Sequence, residues 1–288
     1  MQETVYLNGE YLPPAEAKVP VLDRGFIFGD GVYEVIPAYG RVLFRLQEHL
    51  ARLAYSLSEI RLKNPHDNAT WSRLLQTVVD RNPWDDQSVY LQVTRGVAPR
   101  SQEFPKLPVP QTVLIMSWAL RSPTREQRAQ GVALITREDY RWQRCDIKSV
   151  SLLANCLLRQ EAEDAGCAET VLVRDGYVTE ASACNVFLVK DGVIVNPPKD
   201  RLILPGITYD LVLELARANG LPAEIRPVKR EELFAADEVW LSSSTKEVLP
   251  VTKIDGKPVG DGKPGPMYAR MYQLFQDYKA RAARKTYA

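Results

Sequence analysis

Apolar and polar positions alternate from the start of the chain. Val5-Tyr6-Leu7 and Glu10-Tyr11-Leu12 flank Asn8-Gly9, which predicts a two-residue hairpin. Gly25 to Gly31 reads as a glycine-punctuated loop carrying aromatics, and Val32–Ala38 and Val42–Arg45 as a second strand pair around Tyr39-Gly40-Arg41. Leu50, Leu53, Ala54, Leu57 and Ile60 recur at helical spacing, so a helix is predicted over Gln47–Ile60. Another is predicted over Trp71–Val79, capped by Asn68 or Thr70. Val89–Thr94 and Thr112–Leu120 read as strands on either side of a proline-rich loop, Gly96–Pro110.

The pattern changes at Arg121-Ser122-Pro123-Thr124. This predicts a linker over 121–125 between a small N-terminal domain, 1–120, and a large domain, 126–288. In the large domain, Val132–Thr136 reads as a strand and Val150–Ala165 as a helix ended by Gly166. Asp175-Gly176 and Asp191-Gly192 mark two hairpins, Ile207–Asn219 a helix ended by Gly220, Glu238–Ser242 a strand and Tyr268–Arg284 a terminal helix. The predicted class is α+β, with a small α/β lobe and a larger β-rich lobe carrying packed helices.

Composition narrows the choices. The 288 residues are 45% hydrophobic and 25% charged, which argues against a disordered or membrane-spanning chain. The longest apolar run, near Val113–Leu120, is far too short to cross a bilayer. A net charge of +1 gives no field to attract nucleic acid or an acidic membrane. With only His49 and His66, a multi-histidine metal site is not expected. Cys145, Cys156, Cys167 and Cys184 form no Cys-x-x-Cys pair, and the N-terminus shows no signal peptide, so reduced thiols in a cytoplasmic protein are expected.

Three segments could carry chemistry. Lys148 lies in Asp146-Ile147-Lys148-Ser149 beside an apolar helix; it is either a solvated lysine or an amine nucleophile for a carbonyl. Glu180 stands among the small residues of Thr179-Glu180-Ala181-Ser182-Ala183, as a turn residue or as a carboxylate for a ring nitrogen. Leu204-Pro205-Gly206-Ile207-Thr208 opens a helix whose amides can bind an anion, and Ser242-Ser243-Ser244-Thr245 supplies hydroxyls. An amine, a ring acid and a phosphate cradle together suit pyridoxal 5'-phosphate (PLP).

Across nearly its whole length the chain resembles the class IV aminotransferases, the PLP enzymes of fold type IV, with the D-amino-acid enzymes its nearest branch. The matching stretches are Asp23-Arg24-Gly25, Phe28–Val35, Glu48-His49-Leu50 with Arg52-Leu53, Gln92–Gly96 with Pro99-Arg100, Arg141-Trp142 with Arg144–Ser149, Val178-Thr179-Glu180, Gly206-Ile207-Thr208 and Asp255-Gly256-Lys257. The resemblance implies a homodimeric transferase that moves an amino group between a D-amino acid and a 2-oxo acid. It implies that Lys148 forms the Schiff base and that Glu180 pairs with the pyridine nitrogen. Arg52, Ile207, Thr208 and Ser244 would hold the phosphate, and Leu204 would lie beside the ring. Tyr33 and Arg100 would take the substrate carboxylate, Arg100 from the partner subunit. Gln102 departs from the family, where a histidine is common; it can hydrogen-bond but cannot become cationic. Ala183 and Cys184 stand where hydroxyl residues are frequent. Within the same fold, a lyase acting on 4-amino-4-deoxychorismate and a branched-chain L-aminotransferase are the alternatives, and a non-catalytic PLP carrier is a third; Pro99-Arg100 on the Gly96 loop favours D-amino acids.

Overall fold

The computed structural model describes residues 3–284, which divide into two compact units. Residues 3–121 and Ile147–Leu152 form the first; Ser122–Asp146 and Leu153–Arg281 form the second.

The first unit contains β1 (Val5–Leu7), β2 (Glu10–Leu12), α1 (Arg24–Phe28), β3 (Gly31–Tyr39), β4 (Val42–Leu43), α2 (Leu46–Glu59), α3 (Asn68–Arg81), β5 (Gln87–Thr94) and β6 (Thr112–Ala119). Its sheet runs β2-β1-β6-β5-β3-β4 and is antiparallel throughout. The expected helical stripe is the buried one: Leu50, Leu53 and Leu57 of α2 join Trp71, Leu75 and Val78 of α3 against Val32, Ile36, Val89, Leu91 and Ile115 of the sheet. Each such side chain contributes roughly 1.5–3 kcal/mol by leaving water.

Local chemistry shifts two boundaries. The expected glycine loop contains the short helix α1, because the Asp23 carboxylate accepts from the Gly25 N–H at 2.8 Å and Gly29 closes the turn at φ 65°. A Cβ at Gly25 would lie 2.3 Å from Thr94 Cγ2, so the close approach requires glycine. The cap of α3 is Asp67, one residue ahead of Asn68 and three ahead of Thr70, and it accepts from the Thr70 N–H at 2.8 Å.

Ile147–Leu152 lies beyond the expected 121–125 linker yet belongs to the first unit. Hydrogen bonds along β3 hold it there: the Tyr33 N–H donates to the Lys148 carbonyl at 2.9 Å and the Val150 N–H to the Gly31 carbonyl at 3.1 Å. The helix expected from Val150 therefore starts only at Leu153.

The second unit contains α4 (Arg125–Gln130), β7 (Val132–Glu138), α5 (Leu153–Asp164), β8 (Glu169–Arg174), β9 (Tyr177–Ala181), β10 (Asn185–Lys190), β11 (Val193–Asn196), α6 (Ile207–Ala218), β12 (Ala223–Ile225), α7 (Glu232–Ala235), β13 (Glu238–Ser243), β14 (Glu247–Ile254), β15 (Lys257–Pro258) and α8 (Pro266–Arg284). Its nine-stranded sheet runs β12-β11-β10-β13-β14-β7-β8-β9, with β15 on β14. Three of its pairings are parallel: β11 with β12, β14 with β7, and β7 with β8. An antiparallel sheet with packed helices beside a mixed one makes the class α+β. No helix among the described residues is long and apolar enough to cross a membrane.

Candidate active site

In the first unit, β3 and α2 build one buried cluster. Val32, Glu34 and Ile36 alternate inward, which puts a carboxylate in the core. Arg52 grips it with two parallel bonds, Nε to Oε1 at 2.8 Å and Nη2 to Oε2 at 2.7 Å. Three residues earlier on α2, His49 places Nδ1 2.8 Å from the same Oε2. Burial alone would raise the Glu34 pKa, but the Arg52 guanidinium and His49 overcome it and hold the carboxyl down at about 2. Burial lowers the His49 pKa despite the carboxylate, so its neutral ring donates through Nδ1–H. Lys148 is half-buried beside this cluster. Its Nζ stands 4.3 Å from the Tyr33 ring centroid, and Tyr33 stacks on Tyr90 at 5.5 Å. Lys148 thus meets Tyr33, and Arg52 lies in the same unit, paired with Glu34.

Arg100 and Gln102 lie in the same unit, on an exposed loop between β5 and β6. Arg100 stands over the Phe28 ring at 5.5 Å and has no ion pair among the described residues. Its neighbour Glu103 bonds the Ser101 hydroxyl instead.

In the second unit, Glu180, next to last in β9, lies in a buried polar network. Arg141 Nη1 donates to its Oε1 at 2.6 Å, while Nε and Nη2 hold Asp139 at 2.9 and 3.0 Å. Oε2 accepts from the Leu204 N–H at 3.1 Å and from Asn185 Nδ2 at 3.3 Å. Burial pushes the Glu180 pKa up, with Arg141 opposing. Asn185 Nδ2 also donates to the Leu204 carbonyl at 3.0 Å, so one amide ties Glu180 to the turn ahead of α6. That turn leads to Ile207 and Thr208 through Gly206, the N-cap of α6, which has no side-chain cap. A Cβ on Gly206 would sit 2.0 Å from Asn185 Oδ1. Ser244 begins the turn between β13 and β14, half-buried. Glu180, Leu204, Ile207 and Thr208 therefore share one corner of the second unit.

Glu34, His49, Arg141 and Asn185 carry much of this geometry, and sequence reasoning gave them no role. A signal existed for the first two: a carboxylate on the inward face of an alternating strand, and a His-x-x-Arg pair on the apolar stripe of a helix. Cys184, where hydroxyl residues were expected, is buried against Lys246, whose Nζ lies 3.2 Å from Sγ. Burial raises its thiol pKa to about 11.

The family model described as "Amino-transferase class IV" matches residues 31–254. The chain belongs to the class IV aminotransferases. This class IV aminotransferase is 44% identical over 273 residues to the D-alanine aminotransferase of Bacillus licheniformis, spanning 95% of this chain and 96% of that protein. It is 42% identical over 273 residues to the D-alanine aminotransferase of Listeria monocytogenes, spanning 94% of both. Among solved structures, a T.th. branched-chain amino acid aminotransferase with pyridoxamine 5'-phosphate matches with a TM-score of 0.88 at 29% identity, over 96% of this chain and 94% of that one. The branched-chain aminotransferase of Thermoproteus uzoniensis with norvaline matches with a TM-score of 0.88 at 27% identity, over 99% and 97%. The class works through PLP, and the chain is a PLP-dependent aminotransferase.

The described residues fit that cofactor. Lys148 Nζ makes no hydrogen bond or ion pair among them, as a lysine kept for a carbonyl should. The first amides of α6 lack a side-chain acceptor, so an external phosphate can take them. Ser242 Oγ, close to Ser244 in sequence, is buried without a partner.

Proposed function

We propose that this class IV aminotransferase transfers an amino group between a D-amino acid, of the D-alanine or D-glutamate type, and a 2-oxo acid such as 2-oxoglutarate or pyruvate. The observation that carries the reading is the identity of 44% and 42%, over about 95% of the chain, to relatives named D-alanine aminotransferase. When bound, PLP supplies an electron sink for the negative charge that develops at the substrate Cα. Lys148 Nζ would hold the cofactor, and its freed amine would take the Cα proton and deliver it to the cofactor's C4′, as general base and then acid. Glu180, as an ionised carboxylate held by Arg141, would keep a proton on the ring nitrogen. Arg52, the backbone-amide and hydroxyl donors of Ile207 and Thr208 and the Ser244 hydroxyl would take the phosphate, and Leu204 would pack beside the ring. Tyr33 orients the substrate carboxylate, with Arg100 and Gln102 of the partner subunit in a homodimer. A cytoplasmic setting, consistent with four free cysteines, belongs to the same reading.

A panel of D- and L-amino acids with 2-oxoglutarate or pyruvate as acceptor tests the substrate class. D-alanine and D-glutamate should turn over fastest. The solved branched-chain aminotransferases give the alternative its support, and faster turnover of L-valine or L-leucine would favour it. Borohydride reduction of the loaded enzyme and peptide mapping should place the label on Lys148; a label on another lysine would remove its role.

A further inference from the structure

Arg24 is the feature that the reading above leaves unused. It is an arginine at the start of α1 whose side chain is only 3% exposed. Its Nε donates to Asp30 Oδ2 at 2.8 Å. Its Nη1 donates to the Ser101 carbonyl at 2.6 Å and the Glu103 carbonyl at 3.3 Å, and its Nη2 to the Gln102 carbonyl at 3.4 Å. Three consecutive carbonyls of an exposed loop thus converge on one buried guanidinium. Backbone bonds secure the base of the loop to the same place: the Arg24 N–H donates to the Gly96 carbonyl at 2.9 Å, and Asp23 bridges Val97.

Arg95 completes the clamp. It donates from Nε and Nη2 to Asp30 at 2.8 and 3.0 Å, and the Phe104 ring covers its guanidinium at 3.6 Å. Phe28 stands between the two other arginines, 4.8 Å from Arg24 and 5.5 Å from Arg100. Water could satisfy those carbonyls, but the buried Arg24 guanidinium needs them as acceptors, so arginine and loop fix one another. The effect of these bonds is to give residues 101–103, and the flanking Arg100, one conformation. Binding a substrate then costs less ordering of the loop.

We propose that Arg24 is a positioning residue for substrate binding, holding from beneath the loop that presents Arg100 and Gln102 to the substrate carboxylate. This rests on the reading of Arg100 as the carboxylate anchor. A lysine cannot replace it, because one ammonium cannot serve Asp30 and three carbonyls in a plane.

The test compares the PLP-loaded parent with Arg24→Lys, Phe104→Ala, Arg100→Ala and the Arg24→Lys/Arg100→Ala double variant. Phe104 lies on the exposed loop, so its loss leaves the core intact even if Arg24→Lys folds poorly. KM and kcat are read with D-alanine and 2-oxoglutarate, and amide hydrogen exchange is read over residues 97–111. Both clamp variants should raise KM about tenfold, with kcat nearly unchanged, and should speed exchange in the loop. Arg100→Ala should lower kcat/KM by roughly ten- to a hundredfold, the loss expected for a charged hydrogen bond. Adding Arg24→Lys to Arg100→Ala should then cost little more, because both act through one side chain. Unchanged exchange and KM in both clamp variants, or full additivity in the double variant, overturns the clamp while Arg100 keeps its role. An Arg100→Ala enzyme with parental KM sinks the anchor reading itself, and the clamp with it.

Discussion

Glu180 meets three donors that no substitution can satisfy equally. Arg141 requires an acceptor at Oε1, and the Leu204 N–H and Asn185 Nδ2 require one at Oε2. In Glu180→Gln, one of the two positions becomes an N–H₂ facing a donor. The amide also cannot hold a proton on the ring nitrogen as a carboxylate does. The variant should keep PLP and its fold but lose turnover on the order of 10²-fold, the scale for removing one electrostatic partner from an active site. Single-turnover kinetics on the loaded enzyme check this, and parental turnover would rule Glu180 out as the ring partner.

At the scale of elements, β3 and α2 are joined by a buried ion pair. Breaking such a pair from one side costs about 3–5 kcal/mol, because the remaining charge stays buried. Glu34→Gln should therefore destabilise the protein by that order near neutral pH. The Glu34 pKa is lowered on folding, so its stabilisation is complete above the ordinary value of 4.5 and fades as pH falls towards about 2. His49 acts in the same direction: its pKa is also lowered, so stability drains from pH 6.5 downward as the unfolded chain takes up the proton. Urea unfolding at several pH values should show the gap between parent and Glu34→Gln narrowing with acid; a constant gap would contradict the charge assignment. Elements whose apolar spacing is regular are legible in the sequence, as α2 is from Leu50, Leu53 and Leu57. The strand β14 is not, because Pro250 interrupts it and reads as a break. Lys148, Glu180 and Gly206–Thr208 are legible as candidates because each lies in a compact local motif. Arg141 is not, because it meets Glu180 only through the pairing of β7, β8 and β9, across 39 residues of sequence.

At the scale of the whole molecule, the first unit shows water an apolar stretch. Val19, Val21, Leu22 and Phe26 lie within eight residues of one another in the first unit, and Phe26 is 77% exposed. A second copy of the chain is the cover expected for it, in an obligate interface above about 2,000 Å². Phe26→Glu should weaken the proposed homodimer at least about tenfold, or about 1.4 kcal/mol, in sedimentation velocity. An unshifted dimer would take this stretch out of the interface. The strand-like segment that carries Lys148 has a consequence for how the enzyme is made. The hairpin partner β4 pairs only with the far end of β3, at Ala38 and Tyr39, which leaves Gly31 and Tyr33 to bond Ile147–Leu152. A nascent chain that has left the ribosome only as far as residue 121 has built that sheet with its flank unfilled. The lysine then arrives as the closing piece of a module translated long before it, and chains stalled or cut between residues 121 and 147 would end with an open β3 flank, prone to pairing with other strands.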